Sequence, residues 1–307
     1  MIAVSARSFC CNSILCEDLK RVFPRTEIRF AESKDVDSAE AFIGFVSFAE
    51  SLIIGKEVLS REVLSRLPRL KFVSKYGVGI DNIDFDACRD AGVEVTYQPG
   101  VNASSVAEFT IGLIISLMRR IELGSHYLRA GQWVKNGGLD LNGKTVAVIG
   151  CGNVGTKVCY LLKAFNCKVL ICDIVDKSGF AAELGASQVD LNQCLQCADI
   201  VSLHVPLTPD TQHMINGNSL SLMKSTGFLI NTCRGKVVNE DDLASVLSEG
   251  KIQGCAMDVF NNEPFVPAAL LKSERFLGTP HIAGNSVEAV LAMGRASITG
   301  LQRIVGS

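Results

Sequence analysis

The chain has 307 residues, 48% of them hydrophobic and 20% charged, with 27 Gly and 8 Pro. That balance excludes a disordered, fibrous or low-complexity protein, and the length implies about two domains of roughly 150 residues each. Thirty Lys and Arg against 32 Asp and Glu leave a net charge of -2, and no run of like charge supports a nucleic-acid partner.

The first residues, Met1-Ile-Ala-Val-Ser-Ala-Arg7, carry no basic leader, so no signal peptide is expected. Short apolar runs at residues 2–5, 27–30, 41–46, 70–74 and 93–97 alternate with polar or helical stretches. They are read as the strands of a mainly parallel α/β domain. Next, Val106, Phe109, Ile111, Leu113, Ile114, Leu117 and Met118 recur at nearly helical spacing, with Ser104 and Glu108 near the start. A long buried helix over 102–121, bridging two domains, is expected. Its apolar tract, 109–118, is about half a bilayer span and is flanked by Glu108, Arg119 and Arg120, so no membrane partner is expected. A second strand series follows at 144–150, 168–173, 200–205, 227–232 and 253–259, and residues 286–305 read as a helix that packs back on the first domain. No repeat is visible.

Twelve Cys are scattered without a framework spacing, which points to a reducing, cytoplasmic location. Cys194-Leu-Gln-Cys197 is the one C-x-x-C, and no second pair completes a zinc site; no metal is expected.

Lys144-Thr-Val-Ala-Val-Ile-Gly150-Cys-Gly152-Asn-Val-Gly155 places G-x-G-x-x-G between an apolar strand and a helical pattern. Gly150 permits the tight turn, Gly152 admits a pyrophosphate, and Gly155 lets the helix pack on the strand, with the helix N-terminus facing the anion. The next strand ends in Asp173, placed to accept both ribose hydroxyls and to repel a 2′-phosphate. The cofactor expected is therefore NAD. Gly77-Val-Gly79 also follows a strand, but Ile80-Asp-Asn comes next in place of a glycine and a helix, so it suits a small anion better than a dinucleotide.

Of four His, His281 stands out in the small-residue turn Gly278-Thr-Pro-His281-Ile-Ala-Gly284. Arg234 follows the apolar strand Phe228-Leu-Ile, and Asp258 and Glu263 follow another. Together with Gly77–Asp84, Asn102–Glu108, Arg129–Trp133 and His204–Thr208, these stretches resemble the D-isomer-specific 2-hydroxyacid dehydrogenase family, most closely its short phosphoglycerate-oxidising branch.

The resemblance implies an oxidoreductase built from two doubly wound parallel-sheet α/β domains. A Rossmann NAD-binding domain over 100–284 would be inserted in a flavodoxin-like substrate domain made of 1–99 and 285–307. It implies that Arg234 clamps the substrate carboxylate, that His281 is the general acid/base and that Glu263 is its partner. Val78 and Gly79 would complete the carboxylate cradle, and Asp258 would meet the nicotinamide carboxamide. Asn153, Val154, Val205, Thr232 and Cys233 match cofactor-contact positions. Lys75, with Lys135 as a second choice, would meet a substrate phosphate. The reaction implied first is 3-phosphoglycerate to 3-phosphohydroxypyruvate, as in serine biosynthesis, by a homodimer. Glyoxylate or hydroxypyruvate reduction, or a non-catalytic NAD(H)-sensing role, are the alternatives. Because the chain ends at Ser307, serine feedback through an extra domain is not expected. Cys151 and Cys233 occupy positions where small residues are usual, and packing as small hydrophobes is the role expected of them.

Overall fold

A computed structural model describes residues 1–135 and 137–306. The backbone divides into two compact units, Met1–Asn102 with Asn285–Ser307, and Ala103–Gly284.

The first unit holds a five-stranded sheet of β1 (Ile2–Val4), β2 (Ile28–Phe30), β3 (Ser51–Ile54), β4 (Phe72–Lys75) and β5 (Glu94–Thr96). The order is β2-β1-β3-β4-β5 and every pairing is parallel, the doubly wound flavodoxin-like arrangement. The central strands β1 and β3 are buried at every residue, as a parallel sheet covered on both faces requires. Residues 41–46 are not the expected strand. They lie in the helix Ala39–Val46, started by Ser38, whose hydroxyl accepts the Ala41 amide at 3.1 Å, and Phe42, Ile43 and Val46 form its buried face. An apolar run of six suits a buried strand or a buried helix turn equally, and here the cap decides. The third strand is instead the shorter Ser51–Ile54.

The terminal helix Val287–Val305 belongs to this first unit. It buries Ile298, Leu301 and Ile304 in one cluster with residues of β1 and the helix Ser13–Val22, each worth about 1.5–3 kcal/mol of burial. Gly294 is the close-approach point, since a Cβ there would collide with the Leu15 side chain. The Ser74 hydroxyl donates to the Ser297 carbonyl at 2.7 Å, tying β4 to the same helix.

The second unit holds β6 (Thr145–Ile149), β7 (Lys168–Cys172), β8 (Ser187–Gln188), β9 (Ile200–Leu203), β10 (Phe228–Asn231), β11 (Gly254–Met257) and β12 (Phe276–Gly278). Their order is β12-β11-β10-β9-β6-β7-β8, all parallel. The direction of winding reverses between β6 and β9, which places a switch-point crevice at their carboxyl ends, the Rossmann arrangement. The short edge strands β8 and β12 carry no strong apolar run and escaped the sequence reading. The expected bridging helix is shorter and lies wholly in this unit. It runs over Ala103–Met118, packs against the helix Asn153–Ala164, and stops before Arg120, whose φ of 52° breaks it from the helix Ile121–Arg129. Among the described residues no helix is long and apolar enough to cross a membrane.

Candidate active site

Apart from Lys135, the expected site residues of the second unit lie just beyond the carboxyl ends of β6, β7, β9, β10, β11 and β12. The chain turns at Gly150, with φ of 90°, where a Cβ would stand 2.6 Å from the His204 carbonyl oxygen. A Cβ at Gly155 would collide with the Gly150 carbonyl, so both positions require glycine for closeness and, at Gly150, for its backbone angle. Gly152 differs: a Cβ there meets nothing within 4 Å. Gly152 and Asn153 are exposed at the N-terminus of the helix Asn153–Ala164, no side chain caps that end, and its first turn holds no acid. Uncapped amides at a positive helix end, facing open space beside a glycine, fit a dinucleotide pyrophosphate.

Asp173 follows β7 directly. Its carboxylate accepts the Cys151 amide at 2.6 Å and the Val175 amide at 2.9 Å, so it braces the glycine turn and keeps acceptor capacity for ribose hydroxyls. Val205 is half-buried beside Gly150. Thr232 is buried, and its hydroxyl lies 3.0 Å from that of Thr110. Burial raises the Cys233 thiol to about 11, and that thiol donates to the Asn231 side-chain oxygen at 3.2 Å. His204 is pushed down to about 3 by burial, and Nε2 meets the Ser202 hydroxyl at 2.8 Å. It is therefore a neutral structural residue.

Arg234 leaves β10 half-buried, with Nη1 donating to the Cys233 carbonyl at 2.7 Å. Two features that sequence reasoning missed hold its loop. The buried Asn231 donates from Nδ2 to the Arg234 carbonyl at 2.9 Å, and a Cβ at Gly235 would collide with the Phe260 backbone. The Arg234 loop and the loop after β11 thus touch backbone to backbone.

His281 and Glu263 come together across eighteen residues of chain. Nδ1 of His281 is 2.8 Å from Oε2 and 3.0 Å from Oε1 of Glu263, and Oε1 also accepts the Phe260 amide at 3.1 Å. Burial pulls Glu263 upward, yet the His281 hydrogen bond and charge, the Phe260 amide and the Arg234 charge prevail and lower it. His281 moves the other way: the Glu263 hydrogen bond raises it, against burial, with the Glu263 and Asp258 charges adding and Arg234 opposing. Arg234 is thus close enough to act on both by charge.

The His281 turn is built on Asp258. That carboxylate is fully buried, accepting the Thr279 hydroxyl at 2.6 Å and the Ile282 amide at 2.9 Å on Oδ1, and the Ala283 amide at 2.8 Å on Oδ2. The Ser105 hydroxyl closes the turn from the other side, donating to the Ala283 carbonyl at 2.7 Å. His281 itself has φ of 54°, a left-handed conformation that a non-glycine residue keeps only where its surroundings hold it.

Of the remaining expected residues, Lys75, Val78 and Gly79 belong to the first unit. Lys75 ends β4 and is buried, its ammonium donating to the Gly55 carbonyl. Val78 and Gly79 are half-buried in the bend that follows. Lys135, in the second unit, is exposed.

A model of the NAD binding domain of D-isomer specific 2-hydroxyacid dehydrogenases matches residues 111–283. The chain is 38% identical to a glyoxylate reductase of Thermofilum pendens over 88% of its own length and 83% of that protein. It is 35% identical to a D-3-phosphoglycerate dehydrogenase of Methanocaldococcus jannaschii over 80% of its length and 48% of that protein. Its fold is similar to that of the D-lactate dehydrogenase of Aquifex aeolicus solved with NAD and lactic acid, with a TM-score of 0.86 and 28% identity over 100% of this chain and 96% of that one. The chain belongs to the D-isomer-specific 2-hydroxyacid dehydrogenase family and is an NAD-dependent oxidoreductase.

Proposed function

We propose that the enzyme interconverts a short D-2-hydroxyacid and its 2-oxoacid with Arg234, His281 and Glu263 as the working groups, and that glyoxylate or hydroxypyruvate is preferred to the phosphorylated acid. The observation that carries the reading is the His281–Glu263 pair at 2.8 Å with Arg234 in electrostatic reach of both. Glu263 holds Nδ1, which leaves Nε2 to exchange a proton with the substrate. In reduction the imidazolium gives that proton to the C2 oxygen; in oxidation the neutral ring takes it from the hydroxyl. Arg234 supplies a planar, permanently charged fork for the carboxylate and draws electron density from the C2 oxygen. The amides of Val78 and Gly79 are proposed as further carboxylate donors, and Asp258 as the brace of the His281 turn beside the nicotinamide. NAD, when bound, supplies the hydride acceptor, held by the Gly150 turn, Asn153, Val154, Val205, Thr232 and Cys233.

Substrate preference follows from the lysines. Lys75 turns its ammonium to the Gly55 carbonyl inside the first unit, and Lys135 is exposed. Neither reading of a phosphate clamp gains support from those positions. Similarity supports the same reading, with 38% identity to the glyoxylate reductase of Thermofilum pendens and 35% to the D-3-phosphoglycerate dehydrogenase. We expect kcat/KM with NADH to be at least about tenfold higher for glyoxylate or hydroxypyruvate than for phosphohydroxypyruvate, to drop when NADPH replaces NADH because Asp173 repels a 2′-phosphate, and to keep the same substrate order in Lys135→Ala. A preference for phosphohydroxypyruvate would reverse the assignment. Cytoplasmic residence is part of this reading, since all twelve cysteines are free.

We also propose a homodimer. The helix Ile121–Arg129 buries none of its residues, and Ile121, Leu128, Trp133, Val134 and Leu139 are all exposed, Trp133 by 82%. Such a concentration of large apolar groups in one short segment asks for a cover, and a second copy of the segment supplies it symmetrically. Sedimentation at micromolar concentration is expected to give twice the chain mass, and Leu128→Asp with Trp133→Asp to give the single mass. A wild-type monomer would sink the proposal.

A further inference from the structure

The helix Glu240–Ser248 opens with three acids, Glu240, Asp241 and Asp242, and the fold uses them differently. Asn239 caps this end, its side-chain oxygen accepting the Asp241 and Asp242 amides at 3.1 and 3.2 Å. Asp241 is exposed, and Asp242 accepts the Gly217 amide at 2.7 Å. Glu240 alone of the three is buried, at 7% exposure, and its Oε1 accepts the Asn261 amide at 2.8 Å across 21 residues of chain. An acid at a helix start is favourable at the surface, whereas burying its carboxylate costs free energy that a hydrogen bond must offset. Burial accordingly raises Glu240, opposed first by the Asn261 amide, with the Asp241 charge adding and His213 opposing. Helix capping therefore does not account for the inward turn of Glu240; its bond to Asn261 does.

The Asn261 amide belongs to the loop that carries Glu263. One residue earlier, the Phe260 amide donates to Oε1 of Glu263 at 3.1 Å. Consecutive amides thus serve two carboxylates, one in the site and one buried. Gly235 touches the same peptide unit, since a Cβ there would stand 2.1 Å from the Phe260 carbonyl carbon and 2.5 Å from the Asn261 nitrogen. That contact limits how closely the two backbones approach, but repulsion at short range does not fix the rotation of a peptide plane. A directional hydrogen bond does, and Glu240 supplies it.

We propose that Glu240 is a positioning residue for the reaction: its carboxylate fixes the Phe260–Asn261 peptide, and through the Phe260 amide it keeps Glu263 turned with both oxygens toward Nδ1 of His281. The Glu263 side chain is 37% exposed, so a carboxylate that loses the Phe260 amide has water to turn to, and its hold on His281 weakens. The charged groups that act on His281 directly are Glu263, Asp258 and Arg234; Glu240 works one step behind them. The inference rests on Glu263 and His281 as the working pair, so Glu263→Gln serves as the reference in its test.

The test measures kcat for 2-oxoacid reduction, NADH affinity and the pH profile of kcat/KM in Glu240→Ala, Glu240→Asp and Glu240→Gln. Glu240→Ala is expected to lower kcat by about 10- to 100-fold, the usual cost of a misplaced catalytic group, with NADH affinity unchanged. Glu263 raises His281, so loosening their contact lowers the His281 pKa and moves the fall of the reductive rate to lower pH, in the direction of Glu263→Gln but less far. Glu240→Gln keeps an oxygen for the Asn261 amide and should restore both kcat and the limb, which separates the lost acceptor from the lost charge. Glu240→Asp keeps the charge and suits a helix start, yet its carboxylate is one methylene short and should shift the limb as alanine does. It decides the matter if the alanine variant does not fold. A limb that stays in place in the folded alanine and aspartate variants while Glu263→Gln moves it, or a glutamine variant as impaired as alanine, would overturn the role of Glu240. A limb that Glu263→Gln itself leaves in place would overturn the pairing of Glu263 with His281, and this inference with it.

Discussion

His281→Asn is expected to lower kcat for 2-oxoacid reduction by about 10³-fold with NADH affinity unchanged, the usual worth of a positioned general acid. Asn is the informative replacement because position 281 has φ of 54°, and Asn tolerates the left-handed region better than other non-glycine residues. The turn therefore survives: its Asp258 and Ser105 bonds reach backbone atoms of Ile282 and Ala283 and the Thr279 hydroxyl, none of them the imidazole. The companion variant Glu263→Gln separates the proton carrier from its partner by pH. Glu263 raises His281, and reduction needs the imidazolium, so the reductive rate holds below the His281 pKa and falls as pH rises through it. With the carboxylate gone the raised pKa drops, and the fall must move to lower pH. The oxidative limb, which needs the neutral ring, rises through the same pKa and must move the same way. Full pH profiles of kcat/KM in both directions check this, and an unmoved limb in Glu263→Gln would remove Glu263 from its proposed role.

The parts of the architecture that were legible in the sequence are those where a local pattern has a single structural solution. G-x-G-x-x-G between an apolar strand and a helical spacing admits one turn, and Gly150 and Gly155 occupy the two positions where a Cβ would meet backbone. Residues 41–46 show the limit, because a run of six apolar residues satisfies a buried strand and a buried helix alike and only the Ser38 cap separates them. The edge strands β8 and β12 carry too few buried side chains to leave a pattern. At the site, residue types at strand ends pointed to Arg234, Glu263 and His281, but the supports did not show. Ser105 reaches Ala283 over 178 residues and Thr110 meets Thr232 over 122, and no spacing rule carries information over such separations. Asn231 left a fainter trace, a polar residue closing an otherwise apolar strand.

Arg234→Gln is expected to lower kcat/KM by about 10³-fold, since truncating one partner of a hydrogen-bonded charge pair costs roughly 2–5 kcal/mol. KM should rise from loss of the carboxylate clamp and kcat should fall from loss of polarisation at C2. The variant also carries a signature that simple misfolding of the loop would not produce. Arg234 opposes protonation of His281, so removing its charge lets the His281 pKa rise and moves the fall of the reductive rate to higher pH, opposite to Glu263→Gln. Arg234→Lys divides the two contributions. It keeps a positive charge and should leave the limb near its wild-type position, yet it loses the planar fork and should recover only part of the lost kcat/KM. The loop itself is held by Asn231 through the Arg234 carbonyl and by the Gly235 contact with the Phe260 backbone, neither of which involves the guanidinium. If Arg234→Gln keeps its KM for the 2-oxoacid, the carboxylate is bound elsewhere. If its limb moves to lower pH, or not at all, Arg234 and His281 do not share the reacting centre and the proposed mechanism fails.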